Sequence, residues 1–69
     1  MLKTEVETLI DPKTRRINDV IKSREANGYE VIGIVENVLE DNRHRINRLV
    51  MRIVFQKRED ELIARFEEI

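Results

Sequence analysis

The apolar and polar residues of positions 45–57 alternate along the chain, which is the pattern of a β-strand with two different faces. One face is apolar and consists of Leu49, Met51, Ile53 and Phe55. The other face mixes charged and aliphatic side chains, namely Arg48, Val50, Arg52, Val54 and Gln56. Successive side chains of a strand point to opposite sides of the sheet. We therefore predict a strand here, with its fully apolar face in the core.

The stretch Tyr29–Glu40 is apolar on both faces, so it is predicted as a second strand whose orientation depends on pairing. With a turn around residues 41–43, partner numbers summing to 84 place Glu36 opposite Arg48. Directly opposed charges of opposite sign stabilise a strand pair by roughly 0.2–1 kcal/mol. This register leaves an apolar centre on the second face, formed by Ile32, Ile34, Val38, Val50 and Val54. Such a centre inside a charged rim is typical of an interface.

The first part of the chain predicts a strand followed by a helix. Apolar and charged residues alternate over Leu2–Ile10, as in a half-buried strand. Asp11 is expected to cap the helix, with Pro12 at its first position. Helical spacing then gives one apolar stripe, formed by Ile17, Val20 and Ile21. Asn27-Gly28 is expected to end the helix, because glycine readily adopts the left-handed conformation found there.

Two further features affect the predicted packing. Gly33 lies inside a strand, where it is expected to allow close approach of the helix, with a tolerated bulge as the alternative. After Lys57, acidic residues precede an apolar stripe, which is formed by Leu62, Ile63, Phe66 and Ile69. This pattern predicts a C-terminal amphipathic helix. A helix this short is marginal alone, so we expect it to dock on the sheet or on another subunit.

The elements predict one α+β domain over residues 1–69, with the order β-α-β-β-α. Its three-stranded sheet would carry one helix on the core face, followed by the C-terminal amphipathic helix. A ribbon-helix-helix fold is the competing interpretation, since it also begins with a strand and a helix. That fold needs a second helix within Tyr29–Asn42, where β-branched residues and Gly33 oppose helix formation.

The amino-acid composition reduces the number of function classes that we expect for this chain. The 69 residues contain no cysteine, and 13 Lys and Arg against 14 Asp and Glu give a net charge of −1. A general nucleic-acid-binding protein would be distinctly basic, so we do not expect one. No apolar run approaches a membrane span and no signal-peptide core is present, so a soluble cytoplasmic protein is expected. His44 and Ser23 are the sole residues of their types, which offers no nucleophile–base pair; we expect no enzyme, cofactor or metal site.

Arginines are the strongest candidates for binding, because their planar donors match phosphate and carboxylate groups. The predicted ligand-binding residues are Arg48, Arg52, Arg45, His44, Tyr29 and Phe66, of which Tyr29 or Phe66 would stack on a base. The predicted oligomer interface comprises Ile32, Ile34, Val50, Val54, Leu62 and Phe66. The alternative is that the arginines only form ion pairs within the sheet, with Glu30, Glu36 and Glu40.

The junction Ala26–Val35, a helix end followed by an aromatic residue and a β-branched strand, resembles small β-α-β-β domains of bacteria and phages. A sporulation-associated family is similar in layout, with an Ile-Asn-bearing helix like Ile17-Asn18. The resemblance covers roughly Leu2–Lys57 and implies the same fold. Phage counter-defence proteins that sequester cyclic nucleotide immune signals are similar in size, oligomer face and arginines.

Together these features predict a non-enzymatic homo-oligomer that sequesters a small anion, such as a cyclic nucleotide, in the manner of the phage proteins. One alternative is a protein-interaction or inhibitor module without a small-molecule ligand. The other alternative is a ribbon-helix-helix dimer that binds DNA.

Overall fold

The computed structural model describes residues 1–58. It contains three strands and one helix: β1 (Leu2–Ile10), α1 (Thr14–Ala26), β2 (Glu30–Asp41) and β3 (Ile46–Arg58). The strand order is β1-β3-β2, and both outer strands run antiparallel to β3. The predicted α+β class and three-stranded sheet are confirmed, whereas the predicted C-terminal amphipathic helix lies outside the described residues. The ribbon-helix-helix alternative is wrong, because a strand occupies the place of its second helix.

The core lies between α1 and one face of the sheet. Its buried members are Leu9, Val20, Tyr29, Met51, Ile53 and Phe55, and Ile17, Ile21 and Val31 pack around them. Ile53 and Phe55 are completely buried, because β3 is the central strand and has a neighbour on each side. The predicted core face of β3 and the predicted stripe of α1 therefore meet each other.

The prediction for the end of α1 is confirmed, whereas the prediction for its start is wrong. The helix ends as predicted, with Gly28 at φ 87° and the Tyr29 N–H donating to the Arg24 carbonyl at 3.0 Å. At the start, Lys13 occupies the N-cap position without a side-chain hydrogen bond. The predicted cap at Asp11 is wrong, because its carboxylate accepts the Leu49 N–H at 2.8 Å instead. Asp11 has φ 48°, and its own N–H donates to the Leu49 carbonyl, so it joins β1 to β3.

The predicted register of the β2–β3 hairpin is wrong. Beyond a bulge between Val31 and Gly33, β2 and β3 partners such as Ile34 and Ile53 sum to 87 rather than 84. The loop holds four residues, 42–45, with Arg45 at φ 53°. A difference of three is odd, so residues of β2 after the bulge change faces. Ile34 and Val38 consequently lie on the same side as α1.

Gly33 belongs to the β-bulge, and its missing side chain does not make room for α1. It pairs with Val54, whose side chain lies on the face away from α1. A Cβ added at Gly33 would meet no atom within 4 Å. The predicted close approach of the helix is therefore wrong, and the bulge alternative is confirmed.

Candidate binding surface

The face of the sheet turned away from α1 carries aliphatic residues among polar and charged ones, and we call it the open face. Strand pairing and alternation assign its apolar members, which are Leu2, Val6, Ile10, Val35, Leu39, Ile46, Val50 and Val54. Six of these eight are between 46% and 61% exposed, whereas Val50 is buried and Val54 is partly buried. An antiparallel sheet with one solvated face ordinarily presents polar residues there. The open face is therefore a candidate for contact with another molecule.

Arg48 and Arg52 both lie on the open face, in the central strand. They are four residues apart, which corresponds to about 13 Å along a strand. Arg48 Nη1 lies 3.4 Å from Asp11 Oδ2, so its charge already has a partner. Arg52 stands between Thr8 of β1 and Val35 of β2. Among residues 1–58 it forms no ion pair, so its guanidinium has no acidic partner in that part of the chain.

The register also decides where the acidic residues of β2 lie. Glu36 is opposite Met51 and Glu40 is opposite Asn47, so both carboxylates belong to the side of α1. They cannot pair with arginines on the open face, and the intrasheet pairing predicted as the alternative is wrong for both. Glu30 shares the open face but is opposite Gln56, which is about 13 Å along the strand from Arg52.

His44 and Arg45 belong to the hairpin loop and do not join Arg52. The His44 Nδ1 lies 2.8 Å from Asp41 Oδ2, and the His44 N–H also approaches the Asp41 carboxylate, at 3.3 Å. These contacts lower the pKa of Asp41, with the imidazole bond as the main cause. Arg45 is seven residues from Arg52, or about 23 Å along an extended chain. A pocket containing both would need a second copy.

Tyr29 is a core residue rather than a base-stacking platform. Its ring is buried, and its hydroxyl donates to Glu5 Oε1 at 3.1 Å. The guanidinium carbon of Arg24 and the ammonium of Lys57 each lie 5.4 Å from the ring centroid. Cationic side chains of the same chain therefore already contact the ring on which a base would stack. Phe66, the other predicted stacking residue, lies outside the described residues.

The residues of the predicted interface do not all lie on the same face of the sheet. Val50 and Val54 lie on the open face with the two arginines, whereas Ile34 lies on the side of α1. Ile32 is 50% exposed at the bulge. Leu62 and Phe66 lie outside the described residues. Sequence reasoning missed the contributions of the outer strands, although the alternation of Leu2, Val6 and Ile10 was a usable signal.

A charged cluster explains why the apolar side of β1 points outward. Arg24 of α1 donates one guanidinium nitrogen to Glu5 and the other to Glu7. The Arg24 bond, followed by the Tyr29 bond, lowers the pKa of Glu5. The two carboxylates raise the pKa of Arg24, with Glu7 the larger cause. The acidic face of β1 is therefore held under the helix together with Leu9, and its other aliphatic residues are left on the open face.

No family model, curated protein or solved structure matches this chain. Within residues 1–58, α1 is too short and too polar to cross a lipid bilayer. The open face and its arginines are consequently the features from which a function can be argued.

Proposed function

We propose that the protein is a non-enzymatic homo-oligomer whose subunits meet through the open face and hold a small anion, such as a cyclic nucleotide, against Arg52. The supporting observation is a sheet face that exposes six aliphatic residues and carries an arginine that has no acidic partner among residues 1–58. The core of the fold lies on the α1 side of the sheet. It therefore does not require exposed aliphatic residues or an unpaired arginine on the open face.

The aliphatic residues supply the reason for association. Residues such as Val6, Ile10 and Leu39 are more than half exposed in the single chain. Removing apolar surface from water contributes roughly 25 cal/mol per Å². Two sheets pack face to face about 10 Å apart, with their side chains interdigitated. A second copy provides such a layer without requiring a different partner.

The arginines supply the reason for a ligand. Arg52 lies on the central strand, so a two-fold contact centred on the open face would bring it towards its copy. Two guanidinium groups repel each other, and burying an unpaired charge is costly. A phosphate group between them would accept donors from both, which offsets the repulsion and the desolvation.

Native mass spectrometry, performed with and without a panel of cyclic mono- and dinucleotides, tests this proposal. We expect a defined oligomer that retains a nucleotide, and retention that falls at least about tenfold in Arg52→Ala, as loss of a charged hydrogen-bond donor implies. Arg15→Ala is the matched control, because Arg15 is an exposed arginine on α1. Equal retention in both variants, or a monomeric wild type, would contradict the proposal.

An interaction module without a ligand is the second candidate, and the Arg48–Asp11 pair favours it. This contact shows that one arginine of the open face can be balanced from within the chain. An oligomer that carries no nucleotide from the panel and is indifferent to Arg52→Ala would support this candidate over the first.

A further inference from the structure

The outer edge of β2 is a second uncovered surface, separate from the open face. β2 pairs with β3 on one side and has no strand of residues 1–58 on the other. The backbone N–H and C=O groups along such an edge are available to another strand. Apolar side chains on both sides of β2 are also 50% to 64% exposed, namely Ile32, Ile34, Val35, Val38 and Leu39.

β1 is the other outer strand, and its side chains are arranged differently. On its α1 side, Lys3 contacts Glu5 at 3.5 Å, and Arg24 binds Glu5 and Glu7. Lysine on an edge strand is especially effective in discouraging pairing with further strands. β2 contains no Lys, Arg or Pro, and its pairing is regular after the bulge. The stretch from Ile34 to Asp41 is therefore the edge that favours strand addition.

The charges of β2 indicate what kind of strand would fit. Its charged residues are all acidic, namely Glu30, Glu36, Glu40 and Asp41. Asp41 is bonded to His44, whereas the three glutamates form no ion pair with any residue in the described part of the chain. Pairing with β2 of a second copy would gather eight carboxylates (twice the four of β2) on two adjacent strands. Like charges on paired strands are destabilising, so a basic strand is favoured.

We propose that the outer edge of β2 binds an extended segment of a partner protein as a fourth strand, and that this segment carries two basic residues four positions apart. Glu36 and Glu40 lie on the α1 side and are separated by that interval. Ile34 and Val38 alternate with them on the same side, whereas Val35, Asn37 and Leu39 line the other. Strand addition draws its affinity from main-chain hydrogen bonds and its specificity from alternate side chains.

Fluorescence anisotropy with the full chain tests this inference. The probe is a labelled synthetic peptide of about seven residues, matching a typical strand, with lysines four positions apart and valine or threonine elsewhere. We expect saturable binding, which weakens about tenfold when the second lysine is moved by one position, because that change turns it to the other face. Equal binding of the two peptides would overturn the assignment of Glu36 and Glu40.

Backbone methylation separates strand addition from charge attraction. Two versions of the peptide are methylated on alternate nitrogens, so that the methyl groups face β2 in only one of them. We expect one version to lose binding and the other to retain it. Equal behaviour of the two versions would show that main-chain pairing is absent and would overturn the proposal.

Charge reversal on the protein completes the test. Glu36→Lys with Glu40→Lys should lose the lysine peptide and bind its glutamate counterpart. Asp19→Lys with Glu25→Lys is the matched control, because both residues are exposed on α1, and it should retain the lysine peptide. Wild-type protein that binds a synthetic peptide with the β2 sequence in preference to the lysine peptide would identify a second copy as the occupant and would overturn a basic partner. Arg52→Ala should leave peptide binding unchanged, so the two proposals can fail independently.

Discussion

At the scale of single residues, the interaction of Arg24 with Glu5 and Glu7 links α1 to β1. In the sequence, Arg24 is 19 positions from Glu5 and 17 positions from Glu7. The sequence predicted both elements but not this contact, because the charges of β1 were expected to face water. The residue pattern alone does not reveal that a helix arginine can neutralise two carboxylates beneath it, so the choice of buried face on β1 could not be made from alternation.

Glu5→Gln should make the protein less stable at neutral pH and should have little effect in acid. Arg24, and then Tyr29, hold the pKa of Glu5 below its ordinary value of 4.5 in the folded chain. The unfolded chain therefore takes up this proton first as the pH falls. The stabilisation is complete above about pH 4.5 and is lost as the pH falls through the lower folded value.

Thermal unfolding of the wild type and of Glu5→Gln between pH 7 and pH 2 measures this difference. The two melting temperatures should converge as the solution becomes acidic. Glu25→Gln serves as the control, because Glu25 is exposed on α1, and its effect should be small throughout. A constant difference between wild type and Glu5→Gln across the whole range would contradict the assigned role of the carboxylate.

At the scale of elements, the strands and the helix followed from sequence periodicity, whereas their pairing did not. The core stripe of β3 was predictable because β3 alternates cleanly. The partner of each β2 residue depends on two local irregularities, the four-residue loop and the bulge at Gly33. β2 is apolar on both faces, so neither register conflicts with its composition. Cross-strand charge was too weak a signal to indicate the correct register of β2 and β3, since each pair of opposed charges contributes at most about 1 kcal/mol.

The two glycines should respond differently to alanine. Gly28→Ala should destabilise the fold by about 1–2 kcal/mol, because φ 87° is unfavourable for a residue with a Cβ. Gly33→Ala should change stability by less than about 0.5 kcal/mol, since the added methyl group meets nothing within 4 Å. Urea unfolding of the two variants measures both values. Equal destabilisation would mean that the bulge, and not only the helix end, requires glycine.

At the scale of the whole molecule, one helix covers one side of a sheet whose other side exposes several aliphatic residues. The existence of an exposed apolar face was predicted, but its membership was not, because the odd shift in register exchanged the faces of β2 after the bulge. Val35 and Leu39 replaced Ile34 and Val38 on the open face. This exchange supplies neighbouring residues of one strand that test the two faces separately.

Leu39→Lys should disrupt self-association, whereas Val38→Lys should leave it intact. The two residues are adjacent on β2 and similarly exposed, at 57% and 64%, but only Leu39 lies on the open face. A lysine there would place an unpaired charge inside the proposed contact. Sedimentation velocity over a range of concentrations would give the mass of each variant, and circular dichroism would show that both retain the fold. If Val38→Lys dissociated the oligomer and Leu39→Lys did not, the subunits would meet on the side of α1.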